Sequence, residues 1–347
     1  MSPSKLEVED QPFIIDIRRG HSIFDPTEEV NIGLRSQPPA LPSLFLWDDQ
    51  GQKCFDRLSQ TPTYYPFHSE IEILQLYGAN IGASVPADGM LLELGCGAIR
   101  KTKLVLSGLR KLQKPVHYFA LDVSHESLAA GVQELRDSFH DSELITITGL
   151  LGTYDDGVAW LNELKCPGFN PSVTIMWLGN SMCNMDNQHQ ASDFLARFRT
   201  ACQESQLACR FIVSTDICQK DAKVQAAYNV HGPELRGFLF SALEVANQHL
   251  ACDVFSYADW MPYAWLDDYD GRTLHVGMVP SRDVSVPLLS ADGGAETVVI
   301  PKGQLLYLIS SGKWSEGDMG AIAGQAGFSI QQRWKDGDGD YCVFLLA

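Results

Sequence analysis

Short unbroken apolar runs alternate along the chain with stretches in which apolar residues recur at helical spacing, and this alternation predicts a βα series. The clearest run is Leu91-Leu92-Glu93-Leu94, which stops at Gly95-Cys96-Gly97. A helix is predicted next, over 101–112, then strands over 116–121, 144–148, 173–178 and 209–214. Helices are expected between them: from a Ser124 cap to Phe139, over 158–164 and over 191–202. Loops are expected over 149–157 and 179–184. Upstream, the pattern predicts strands over 12–17 and 44–47, the latter running into a turn at Gly51. Short helices are expected at 27–34 and 55–58, then a longer one over 68–81 with Pro66 marking its start. After residue 216 the pattern changes. Helices over 220–228 and 235–250 precede a mixed aromatic segment with Trp260, Tyr263, Trp265 and Tyr269. Strands follow over 273–279 and 296–300, joined by a Gly/Ser/Asp-rich loop, with another over 305–310. A helix over 319–326 and a hairpin of strands 329–334 and 341–346 close the chain.

This order implies an α/β fold with a Rossmann-like core of residues 62–215 and 311–347. A second, α+β domain of residues 12–61 and 216–310 is expected to hold substrate. The core carries its own chemistry. Strand, Gly turn and helix form the first half of a nucleotide-binding unit, and Asp122 ends the next strand, where an acid can accept hydrogen bonds from both ribose hydroxyls. A dinucleotide would need a third Gly or Ala for helix–strand packing, and Ile99 and Arg100 stand there instead. Glu93-x-Gly95-x-Gly97 with Asp122 is the pattern of enzymes that use S-adenosylmethionine (SAM), whose methionine and ribose portions the glycines let approach the backbone. An NAD-dependent oxidoreductase is disfavoured further by the lack of an obvious hydride-site His/Lys pair.

Composition narrows the class. The formal charge of −17 argues against nucleic acid, whose phosphates need clustered Lys and Arg, and weakly favours a cationic ligand such as the SAM sulfonium. Nine dispersed cysteines without metal-ligand spacing point to reduced thiols and no metal. Residues 1–11 are polar and acidic, and no apolar stretch reaches the ~18 residues of a membrane span. A cytoplasmic monomer acting on a small molecule, with no membrane partner, is expected.

Several motifs together resemble one family, the EgtD-like histidine-specific methyltransferases, and their fungal relatives that N-methylate tryptophan or dimethylallyltryptophan. The marks are Leu44-Phe45, Gly51, Thr63-Tyr64-Tyr65-Pro66 before Glu70, the Gly turn with Lys101-Thr102, and Asp122-Val123-Ser124. Gly152-Thr153-Tyr154 and Gly179-Asn180-Ser181 with Asn184 complete them, from about residue 30 to the end. The resemblance implies SAM held by Glu93, Gly95, Gly97, Lys101, Asp122, Val123, Thr153, Tyr154 and Gly179. It implies a catalytic and substrate-binding set of Tyr65, Asn184 and Tyr228, with Asn184 orienting the α-amino group, and further substrate contacts from Asp216, Leu308 and Ser310. In the histidine enzymes a glutamate and a serine on one strand grip the imidazole. Leu308 replaces that glutamate here, and Ser310 keeps the serine. Leucine cannot pair with an imidazole N–H, whereas an apolar wall suits an indole. Tryptophan is therefore the expected acceptor, with histidine or prenylated tryptophan as alternatives, and a non-catalytic regulator as a further one.

Overall fold

A computed structural model describes residues 13–19, 25–97, 99–164, 171–289 and 295–347. The expected polar N-terminus and residues 290–294 of the loop between the strands near 280 and 296 lie outside the described residues. In chain order the first elements are β1 (Ile14–Asp16), α1 (Pro26–Arg35), a 3-10 turn (Ser43–Trp47), α2 (Asp49–Ser59) and α3 (Tyr65–Ser84). The expected strand at 44–47 is thus a helical turn. Asp48 explains the change: its carboxylate accepts from the Gly51 N–H at 2.7 Å and caps α2. Gly51 is not a turn residue but sits in the first turn of α2, where an added Cβ would lie 2.1 Å from the Leu46 carbonyl oxygen. Helix α3 starts at Tyr65, before Pro66, and not at residue 68.

The βα series follows as β2 (Gly89–Leu94), α4 (Arg100–Lys111), β3 (Val116–Asp122), α5 (His125–Phe139), β4 (Ile145–Leu151), α6 (Tyr154–Glu163) and β5 (Ser172–Trp177). Strand β4 runs through residues expected in a loop, because Gly149, Leu150 and Leu151 pair with Ala120, Leu121 and Asp122 of β3. Helix α6 then starts at a capping box, with the Thr153 hydroxyl and the Asp156 carboxylate reciprocally bonded to each other's backbone N–H. The remainder comprises a 3-10 turn (Ser181–Asn184), α7 (Gln188–Glu204), β6 (Ala208–Asp216), α8 (Asp221–Ala227) and α9 (Pro233–Leu250). After the short 3-10 turn Tyr257–Asp259 come β7 (Trp260–Asp267), β8 (Thr273–Pro280), β9 (Val284–Leu289), β10 (Ala295–Ile300) and β11 (Leu306–Gly312). Helix α10 (Glu316–Gln325) and the hairpin β12 (Ile330–Lys335) and β13 (Tyr341–Leu346) end the chain. The mixed aromatic segment is therefore a strand, and the expected loop after residue 280 contains β9, which pairs with β10.

The chain divides into two compact units. One is formed by residues 1–19, 79–176 and 201–209, the other by 20–78, 177–200 and 210–347. This differs from the division expected from sequence, which kept the closing hairpin with the βα series. The hairpin's β13 pairs antiparallel with β6, Tyr341 opposite Asp216, and both fall in the second unit.

In the first unit the parallel strands stand in the order β1-β4-β3-β2-β5. The order reverses at β2, so the Gly turn lies at the switch point where such sheets bind ligands. Leu91, Leu92 and Leu94 are buried, as expected for a parallel strand covered on both faces. The second unit is built on a different core. Helix α9 buries Leu235, Phe238, Leu239 and Leu243 in one apolar cluster with Leu46, Leu58, Leu274, Val276, Met278, Leu306 and Leu308. Its strands β11-β8-β7 form an antiparallel sheet that presents Leu274, Val276 and Met278 to that core.

Candidate active site

In the first unit, side chains converge on the turn after β2. Gly95 and Gly97 have φ of +65° and +42°, conformations that glycine adopts without the penalty other residues meet. A Cβ on Gly95 would also lie 2.9 Å from the Tyr154 hydroxyl. Asp122 is buried at the end of β3 and accepts from the Gly97 N–H at 3.2 Å and the Ser124 N–H at 3.0 Å. Burial pushes its carboxyl upward despite these bonds and a weak one from Cys96. A carboxylate that is still under-stabilised has capacity to accept from further donors, which the paired hydroxyls of a ribose supply. Beside it Val123 is 39% exposed, an apolar side chain available to a flat ring.

Glu93 is buried and accepts from the Thr102 hydroxyl at 2.8 Å and from the Tyr118 phenol, which fixes β2, β3 and α4 around the turn. Thr153 caps α6 and thereby sets Tyr154, while Lys101 lies half-buried in the first turn of α4. Gly179, at φ +81°, belongs to the second unit, and its N–H donates to Glu70 Oε1 at 2.9 Å.

The second unit holds a buried polar network inside its apolar core. Asp216 Oδ2 accepts from the Tyr65 hydroxyl at 2.6 Å and from Lys313 Nζ at 3.1 Å, and Oδ1 accepts from the Cys218 N–H at 3.0 Å. Lys313 is completely buried, and it also donates to Ser311 Oγ at 2.8 Å and to the Tyr228 hydroxyl at 3.4 Å. Tyr228 reaches Ser311 at 3.2 Å and the Tyr64 hydroxyl at 3.3 Å. Asn180, at φ +62°, closes the ring by accepting from the Asp216 N–H at 2.7 Å and donating to Ser311 at 3.2 Å. Burial drives the Asp216 carboxyl up while Lys313 and Tyr65 pull it down, and the Asp216 charge holds Lys313 above its ordinary value against burial. With three donors on the carboxylate, we read the pair as ionised at neutral pH. Burial and Asp216 raise the Tyr65 phenol far above its usual range, so Tyr65 is a neutral donor.

Of the expected substrate residues, Tyr65, Asp216 and Tyr228 therefore meet. Asp216 accepts from three protein donors, among them Tyr65 and Lys313. Asn184 ends the 3-10 turn after β5, half-buried, and among the described residues its amide makes no hydrogen bond. The next residue, Met185, accepts from Ser310 Oγ at 3.2 Å, which brings Ser310 and Asn184 into one neighbourhood. Leu308 is only 2% exposed and packs in the apolar cluster. Sequence reasoning missed Lys313, Ser311, Tyr64 and Asn180 as site residues. The available signal was a lysine following directly on the apolar run of β11, in Ser310-Ser311-Gly312-Lys313. Among the described residues no His/Cys/Asp/Glu group is placed to hold a metal, and no helix is long and apolar enough to cross a membrane.

A family model described as "histidine-specific methyltransferase, SAM-dependent" matches residues 26–347. The chain belongs to this family. It is a SAM-dependent methyltransferase with an α/β fold, and SAM is its cofactor. Among its relatives is N-methyltransferase benX of Aspergillus terreus, 39% identical over 90% of this chain and 86% of the relative. N-methyltransferase dtpB of Aspergillus flavus is 36% identical over 95% of this chain and 90% of its own length. The 4-dimethylallyltryptophan N-methyltransferase easF of Aspergillus fumigatus is 27% identical over 96% of this chain and 97% of its own.

Proposed function

We propose that this methyltransferase N-methylates the α-amino group of a free aromatic amino acid, with tryptophan the preferred acceptor. The observation that carries the choice against histidine is Leu308. It is an apolar residue in an apolar cluster at the place where the family resemblance calls for the carboxylate that grips an imidazole. Without that carboxylate a bound imidazole lacks the partner for one polar N–H, at a cost of about 1–3 kcal/mol. A relative that acts on 4-dimethylallyltryptophan and aligns along nearly its whole length supports an indole-bearing substrate.

SAM supplies an electrophilic methyl: the amine lone pair forms the new N–C bond, the C–S bond breaks, and its electrons remain on sulfur as the neutral thioether. The protein's part is orientation. Asp122 and the Gly95–Gly97 turn hold the cofactor, and Asn184 aims the amine. Tyr65, kept a neutral phenol by burial and the Asp216 carboxylate, and Tyr228 hold the amino-acid end by hydrogen bonds. The proton released from nitrogen passes to solvent. Holding reactants in attack geometry is the main source of acceleration available to such a site. The test is a mass-spectrometric screen of the twenty amino acids, tryptamine and prenylated tryptophan with SAM. Methylated tryptophan is the expected product, with tryptamine poor for lack of the carboxylate. The family's own description favours histidine as a second reading, and faster turnover of histidine than of tryptophan would establish it instead.

A further inference from the structure

The sheet β11-β8-β7 has a second face, turned away from the apolar cluster that buries Leu274, Val276 and Met278. A row of paired residues crosses it: Trp265 on β7, His275 on β8 and Ser310 on β11. The next row is Tyr263, Gly277 and Tyr307. Trp265 and His275 stack with ring centroids 4.8 Å apart and planes at 19°. His275 Nδ1 and the Tyr307 hydroxyl are hydrogen-bonded at 3.1 Å. These three side chains are half-buried, and Tyr263 beside them is 49% exposed.

Simple alternation would put Tyr307 and Ser310, three residues apart, on opposite faces. A β-bulge prevents this. The register shifts between Tyr307 and Ile309, so Tyr307 faces Gly277 and Ser310 faces His275 on one side of the sheet. Bulges re-aim side chains in this way next to binding sites. The face is also continuous with the acceptor loop, because the Ser310 hydroxyl donates to the Met185 carbonyl, adjacent to Asn184. Burial lowers the affinity of His275 for a proton, which keeps the imidazole neutral, with Asp267 and Asp186 the acids that oppose the effect. Among the described residues its Nε2 makes no hydrogen bond. In the tautomer with the proton on Nδ1, the ring donates to Tyr307 and leaves Nε2 as an acceptor.

We propose that Trp265, His275 and Tyr307 form the subsite for the acceptor's side chain, which takes an indole ring packed against the Trp265–His275 stack with its N–H donated to His275 Nε2. This rests on the reading of the protein as an amino-acid N-methyltransferase. An indole is a large apolar plate with one donor, and the face offers apolar rings with one unpaired acceptor.

The test is calorimetric binding of L-tryptophan and of its benzothiophene analogue, in which sulfur replaces the N–H, to the protein saturated with S-adenosylhomocysteine. Wild type should bind tryptophan about tenfold or more tightly than the analogue, because a site built to pair with a polar group rejects a ligand lacking it. His275→Phe keeps an aromatic ring in the stack and should level the two affinities. Trp265→Ala should weaken both ligands about tenfold with S-adenosylhomocysteine affinity unchanged. Absence of tryptophan binding, equal wild-type affinities, or a preference that survives His275→Phe would overturn the subsite. Methyl transfer in the same samples separates the two ideas. Tryptophan that binds in this pattern but is not methylated sinks the proposed function alone, while methylation indifferent to both substitutions sinks the subsite alone.

Discussion

Lys313→Met is the sharpest perturbation the structure offers. The side chain is fully buried, and its ammonium faces Asp216 at 3.1 Å, Ser311 at 2.8 Å and Tyr228 at 3.4 Å. Methionine has nearly the same length, so the packing change is worth less than about 1.5 kcal/mol. The charge change is larger. Asp216 keeps Tyr65 and the Cys218 N–H but becomes a buried anion without a counter-charge, and breaking such a pair from one side costs about 3–5 kcal/mol. Ser311 retains the Asn180 amide and the Tyr228 hydroxyl, so its share of the loss is small. Denaturant unfolding followed through tryptophan fluorescence, to which the buried Trp314 next in sequence contributes, should show a loss of that size. Adding Asp216→Asn removes the stranded charge and should recover at least half of it. A single variant within about 1 kcal/mol of wild type, or a double variant no better than the single, would refute the view that Lys313 and Asp216 are charged partners. Turnover should stay low in the rescued double variant, because Tyr65 has lost its anionic acceptor and Tyr228 has lost the Lys313 ammonium.

Four further expectations follow from the geometry. Asp122→Ala should weaken S-adenosylhomocysteine binding by roughly 1–3 kcal/mol by calorimetry, the cost of lost hydrogen bonds to the ribose; unchanged tight binding would remove Asp122 from the cofactor site. Asn184→Ala should lower turnover far more than cofactor affinity, and a variant with normal turnover would show that the loop after β5 does not position the acceptor. Leu308→Glu should act first on stability, since it puts a carboxylate into the apolar cluster; a variant as stable as wild type that gains activity on histidine would restore Leu308 as a direct contact. His275 binds its proton more weakly when folded than its ordinary value of 6.5, so below about 6.5 the unfolded chain takes up a proton that the folded chain refuses. Stability should therefore fall as pH drops from 6.5 toward the folded value, and His275→Phe should flatten that part of the profile.

How far the sequence could be read depended on the range of the interaction. The cofactor end was legible because it is local: apolar run, Gly turn, helix and acid occupy residues 89–122, and the φ of Gly95 and Gly97 follow from residue type. Element types fared well where periodicity alone decides, as in β3, α5 and β13. They failed where a side chain captured the backbone, as at Asp48, which turned an expected strand into a helix start, and at Thr153–Asp156, which began α6 early. The polar network was not legible as a unit. Its members come from residues 64, 65, 180, 216, 228, 311 and 313, and only the fold brings them within hydrogen-bonding distance. A domain boundary drawn at 216 and 311 separated Ser311 and Lys313 from Asp216 and Tyr228, though it kept them with Tyr64, Tyr65 and Asn180.

Strand β11 shows why single-residue inference about specificity misleads on a sheet. Reading Leu308 as a wall of the acceptor pocket assumed that it shares a face with Ser310, two residues on. The bulge breaks that parity: Ser310 pairs with His275 on the open face, and Leu308 lies in the buried cluster with Leu306 and Ile309. The absence of a carboxylate at 308 still counts against an imidazole, since nothing polar has taken its place at that position. What it cannot do is select the indole. Selection needs groups that touch the ring, and on the open face the half-buried rings are those of Trp265 and His275, joined by Tyr307 through the same bulge that removes Leu308 from it. One irregularity in one strand thus decides both that Leu308 leaves the open face and that Tyr307 and Ser310 share it.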